Sequence, residues 1–185
     1  MESILKTFSI GFLLRSVFSG IFFVISYYGF GTLVQIGDKP IFSTALLVAL
    51  FSGVTAYGIH RSAVYPWIEW FFNSKFGKAL RERIPLISSS TIHTLLWRWD
   101  QGAHEAALNC EQINEHLNTW ADFIHLQFTS SLCIVLGLLV SRFMGNHRSF
   151  CLLIGLAVFL FLAALVSNWR SHSVLDYVRE RAGNE

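Results

Sequence analysis

The chain has 185 residues, of which 53% are hydrophobic and 14% charged, with a formal net charge of +2. A water-soluble domain of this size carries about 25% charged residues. So pronounced a deficit excludes an ordinary soluble globular fold, and three cysteines without metal-type spacing exclude a disulfide framework or a zinc module.

The missing charge is concentrated in four places. Residues 16–37 are uncharged between Arg15 and Asp38, and residues 40–59 between Lys39 and His60. Residues 126–141 follow His125 without a charge, and residues 149–169 lie between Arg148 and Arg170. Each stretch approaches the roughly 20 residues that an α-helix needs to cross a bilayer core. The first is too long for the apolar part of a secretory signal and is followed by no small-residue cleavage site, so it is expected to be retained as a span. The prediction is an all-α polytopic membrane protein with four transmembrane helices arranged as two hairpins, residues 1–61 and 123–185. A cytoplasmic helical insert, residues 62–122, separates spans 2 and 3 and is continuous with span 3, and a cytoplasmic helix ends the chain.

Basic residues set the expected orientation. With the N-terminus inside, eleven Lys and Arg face the cytoplasm, and three, Lys39, Arg142 and Arg148, face outward. That asymmetry follows the positive-inside rule and places both termini and the insert in the cytoplasm of a bacterial inner membrane. The outer loops around "IGDKP" and "RFMGNHR" are short, which leaves no ectodomain.

The insert opens with "HRSAVYPWIEWFFNSKFGKALRER". Tyr65, Trp67 and Trp70 suit the headgroup layer, and Lys75 and Lys78 suit anionic lipid just beyond it, so an interfacial anchoring helix is expected after Pro66. From Arg61 to Asp122 there are six Lys/Arg and seven Asp/Glu, a balance that argues against direct nucleic-acid binding. "SSS" at 88–90 offers a helix cap, and Ile92, Leu95, Leu96 and Trp99 recur at helical spacing.

From Ala103 the pattern sharpens. Ala103, Ala106, Cys110, Ile113, Leu117, Trp120 and Ile124 alternate at separations of three and four, a seam for packing against another helix. His104, Glu111, Glu115, Asn118, Asp122 and His125 share the opposite face. The helix is expected to run unbroken into the third span, with the seam as a subunit or partner contact. The face with His104, Glu111, Glu115, Asp122 and His125 would line a vestibule or grip a soluble partner. Asp122 and His125 stand where ionisable groups are costly, which makes them functional candidates.

Sharper chemistry finds less support. Glu111, Glu115, His116, Asp122 and His125 have ligand-type chemistry, but one helix cannot supply a full metal shell, and no cofactor or metal is expected. Serines, threonines and small residues such as Gly20, Gly53, Gly137 and Gly155 read as close helix packing. Mid-span Asp, Glu, Lys and Arg are missing, which disfavours coupled transport. No catalytic triad or phosphate-cradling glycine loop is present, and enzymatic activity is not expected.

Two resemblances complete the reading. "RWDQGAH" places Arg98 six residues before His104 and resembles the Arg–His element of HEPN-type ribonucleases, which would imply a membrane-anchored ribonuclease acting on the RNA 2′-OH and phosphate. In size and topology the chain resembles the small four-span membrane subunits of bacterial antiphage systems of the Kiwa type. That resemblance implies a homo-oligomeric sensor or scaffold that passes the state of the envelope to a cytoplasmic protein partner. A homo-oligomeric channel or pore that depolarises the membrane is the alternative.

Overall fold

The computed structural model describes residues 10–29, 39–84, 86, 91–92, 94, 110–144 and 151–182. All regular structure among them is helical. In chain order the elements are α1 (Ile10–Tyr28), α2 (Lys39–Ile59), a π-helical turn (His60–Val64), α3 (Tyr65–Asn73), α4 (Lys75–Arg83), α5 (Cys110–Phe143) and α6 (Cys151–Ala182). They form two compact units: Met1–Pro66 with His125–Ala164, and Trp67–Ile124 with Leu165–Glu185.

In the first unit, glycines decide how closely helices approach. A methyl group at Gly20 of α1 would fall on the carbonyl oxygen of Ala49, and one at Gly53 of α2 on that of Ser16. At Gly137 of α5 it would stand 2.7 Å from the carbonyl oxygen of Phe23. Small residues that let backbones touch are the usual glue of helices in lipid. Gly29 closes α1 at φ 82°, a left-handed conformation that lacks a steric penalty only in glycine.

The burial pattern of this unit is inverted. Its interior holds Ser16, Ser19, Ser26, Thr129, Ser130, Ser131 and Ser141. Ser19 and Ser130 hydrogen-bond across α1 and α5 at 3.1 Å, and Ser131 Oγ donates to the Ala157 carbonyl of α6 at 2.9 Å. Bulky apolar side chains point outward instead, among them Phe51 at 69% exposure, Phe159 at 65% and Leu152 at 92%. Water drives large apolar groups inward, so this surface is not one that water would select.

The second unit follows the ordinary order. Ile92, Leu117 and Val174 form a buried cluster, with Trp120, Leu175, Tyr177 and Val178 packed against it. Ser74 caps α4 by accepting from the Gly77 N–H at 3.0 Å. Gly77 also lies so close to the Phe71 carbonyl that no side chain fits there. Arg81 of α4 is buried and reaches Asp176 of α6 through Nη2 at 2.6 Å and Nε at 3.1 Å, while its Nη1 donates to the Phe72 carbonyl at 2.7 Å. His172 stacks on Phe72 with ring centroids 5.2 Å apart, and its Nε2 lies 3.2 Å from Glu69 Oε1.

Two segments are long and apolar enough to cross a membrane, His116–Phe143 and Cys151–Val178. The four crossings expected from the sequence require α1 and α2 as well, which have 19 and 21 residues and carry one charge each, Arg15 and Lys39. The long third helix is continuous over the 34 residues from Cys110 to Phe143. Its seam is corrected in part: Leu117 and Trp120 are packed by Val174, Leu175, Tyr177 and Val178 of the same chain, so at these two positions the apolar stripe is already covered and is not an open subunit contact. Ala106 lies outside the described residues, as do the side chains of Cys110 and Ile113.

Candidate functional site

The most concentrated polar chemistry of the first unit begins where α2 ends. The helix widens into the π-turn, and the Tyr65 N–H donates to the His60 carbonyl five residues back. Such bulges re-aim side chains and are frequent at functional sites. His60 is 1% exposed and meets His125 of α5, His60 Nε2 lying 3.0 Å from His125 Nδ1. The other nitrogen of His125, Nε2, lies 3.0 Å from Nη1 of Arg61.

Donor chemistry orders this chain of contacts. A guanidinium only donates, so His125 Nε2 must accept and carries no proton. The neutral His125 then bears its proton on Nδ1 and donates it to His60 Nε2, which leaves the His60 proton on Nδ1. One direction of donation therefore runs from Arg61 through His125 to His60. His60, just beyond α2, has its pKa pushed down to about 4 by burial and then by the neighbouring Arg61 charge, which agrees with a neutral ring.

Aromatic rings enclose the pair. Tyr65 meets His125 edge-on at 4.5 Å and His60 at 5.6 Å, and Phe128 stacks on His60 at 5.2 Å. The Arg61 guanidinium lies over the Tyr65 ring at 5.1 Å. On another side, Tyr57 meets His125 at 6.4 Å and carries the Arg15 guanidinium over its ring at 5.8 Å. Thr129 Oγ1 donates to the His125 carbonyl at 2.7 Å. The arrangement couples position to protonation: a proton on His125 Nε2 would face the Arg61 donor, so the imidazolium and the present place of Arg61 exclude one another.

The residues singled out from the sequence part company here. His125 was expected on the open face with Asp122, and this is corrected: His125 is 6% exposed and turned to His60 and Arg61, while Asp122 is exposed. Three positions along a helix are about 300° of rotation, and that residual 60° suffices to put one side chain inside and the other out. His104, Arg98 and the side chains of Glu111 and Glu115 lie outside the described residues. Of the expected membrane anchors, Trp67 and Trp70 are exposed at 73% and 68%, as are Lys75 and Lys78, whereas Tyr65 is half-buried in the histidine cluster. Among the described residues no group of three His, Cys, Asp or Glu side chains is placed to hold a metal ion.

His60 and Arg61 were missed as site residues. Their sequence signal was a histidine and an arginine ending a charge-free run, which any juxtamembrane segment shares. Comparison of the chain with protein-family models, with curated proteins and with solved structures finds no match.

Proposed function

We propose that the chain is a non-enzymatic, four-span protein of a bacterial inner membrane that self-associates and serves as sensor and scaffold for a cytoplasmic partner, in the manner of antiphage membrane subunits. One observation carries this reading: the first unit buries serines, threonine and two histidines while exposing phenylalanines and leucines. In addition, only 17% of the most apolar window of α6 is buried, whereas the core helix of a soluble protein is mostly buried. Lipid is the solvent that accepts such a surface. The second unit, with its apolar cluster, its Arg81–Asp176 pair and its exposed Lys75, Lys78 and Asp122, supplies the water-facing part on which a partner would dock.

The test is extraction and labelling of the intact chain. It is expected to resist alkaline extraction from membranes, to need detergent for solubility, and to react with a membrane-impermeant thiol reagent at an Asp122→Cys position only after the inner face is exposed. Release by alkali, or labelling from outside, would refute the arrangement. For the scaffold role, the double substitution Glu111→Lys, Glu115→Lys is expected to abolish co-purification of a soluble protein while the oligomer in detergent persists.

A depolarising pore is the second reading, favoured by the buried hydroxyls of Ser16, Ser26 and Ser141, which have no hydrogen-bond partner among the described residues. It requires ion flux in liposomes holding the purified chain, altered by Ser26→Ala.

A further inference from the structure

The geometry points to a binding site for the phosphate of an anionic phospholipid headgroup, built on Arg61 and held in place by His125 and Tyr65. The inference rests on the membrane reading above. It begins with charge: the described residues of the first unit contain Arg15, Lys39, Arg61 and Arg142 but no Asp or Glu. Arg61 hydrogen-bonds a neutral imidazole and covers a tyrosine ring. Neither contact neutralises its charge.

Depth and preorganisation identify the anion. Arg61 stands two residues beyond the 21-residue α2, whose Leu46, Leu47, Phe51, Val54 and Ile59 are exposed, so its guanidinium lies at the level where acyl chains give way to headgroups. The hydrogen bond to His125 and the ring of Tyr65 fix the plane of the guanidinium, and Arg61 remains exposed on its other side. A planar fork already oriented, with N–H groups still unused, matches two oxygens of a phosphate better than a flexible ammonium does. His125 acts as a positioning residue: His60 fixes its tautomer, and that tautomer leaves Nε2 as the acceptor that holds Arg61.

The experiment uses the full chain, purified in mild detergent, stripped of lipid and titrated with phosphatidylglycerol or phosphatidylcholine under native mass spectrometry. The wild type is expected to hold phosphatidylglycerol more tightly than phosphatidylcholine, whose choline offsets the phosphate charge. Arg61→Gln is expected to lose about tenfold in phosphatidylglycerol affinity, the scale of one charge-assisted hydrogen bond, and to fall to the phosphatidylcholine level. Arg61→Lys keeps the charge without the fork and should lie between them, a result that stands even if the glutamine variant folds poorly. Arg142→Gln should match the wild type. Equal phosphatidylglycerol binding by wild type and Arg61→Gln overturns the proposal, as does displacement of the lipid by equimolar inorganic phosphate, which would assign the site to free phosphate. A chain that proves soluble without detergent fails the membrane reading instead, so the two failures are distinct.

Discussion

The two units of this chain bury opposite kinds of residue. The first hides Ser16, Ser19, Ser26, Ser130 and Ser141 and shows Phe51, Phe159 and Leu152; the second hides Ile92, Leu117 and Val174 and shows Lys75, Lys78 and Asp122. The same twenty side chains obey opposite rules because the surrounding medium sets which contacts are gained on folding. Water expels apolar surface. Lipid does not, and there helices join through small residues and interhelical hydrogen bonds such as Ser19–Ser130.

Four experiments would break or sharpen this contrast. The largest effect is expected in the second unit, where Arg81→Ala leaves Asp176 without its partner and the Phe72 carbonyl without its donor. Loss of about 3–4 kcal/mol is expected by chemical unfolding, while the paired change Arg81→Met, Asp176→Leu should restore most of it. Next is a lysine on the outer face of the first unit: Phe51→Lys should cost about 3 kcal/mol of membrane insertion. Lys78→Leu in the second unit should stay within about 0.5 kcal/mol, and equal effects of the two changes would erase the distinction.

Closer in size, Gly53→Ala drives a methyl into the Ser16 carbonyl and should cost about 2–3 kcal/mol, read as a lowered melting temperature in detergent. The smallest effect concerns pH. His60 is neutral in the folded chain with a pKa of about 4, against 6.5 when unfolded, so the unfolded state binds more protons between those values. The stabilisation is present above pH 6.5 and is lost as pH falls toward 4. About 2 kcal/mol should disappear between pH 6.5 and 5, and His60→Asn should flatten that slope. His125, Tyr57, Tyr65, Arg15 and Arg61 surround the ring and are unchanged in that variant.

Much of the helical layout was legible because runs without charge need no partner to be recognised. The stretches at 40–59, 126–141 and 149–169 lie within α2, α5 and α6, apart from residues 149 and 150, which lie outside the described residues. The first stretch was placed too late: α1 begins by Ile10 and ends at Tyr28, with Arg15 inside it, because an arginine carried on a tyrosine ring does not mark a helix boundary. The site was not legible. His60 and His125 are 65 residues apart and Arg81 and Asp176 are 95 apart, and no local period encodes such pairings. The seam at Leu117 and Trp120 was visible as apolar spacing, yet spacing does not say whether the covering helix belongs to the same molecule, as here it does.

The π-turn at His60–Val64 acts as a phase shifter in the chain. A wide turn of this kind is equivalent to one residue added to an α-helix, and each residue of such a helix advances the direction of the next by about 100°. Deleting a single residue between Ile59 and Tyr65 would let ordinary helix resume and swing the Tyr65 ring off His125 by that angle, with composition and hydropathy nearly untouched. Length in this five-residue window is therefore held more tightly than residue identity, and one lost codon there would be felt where many substitutions would not.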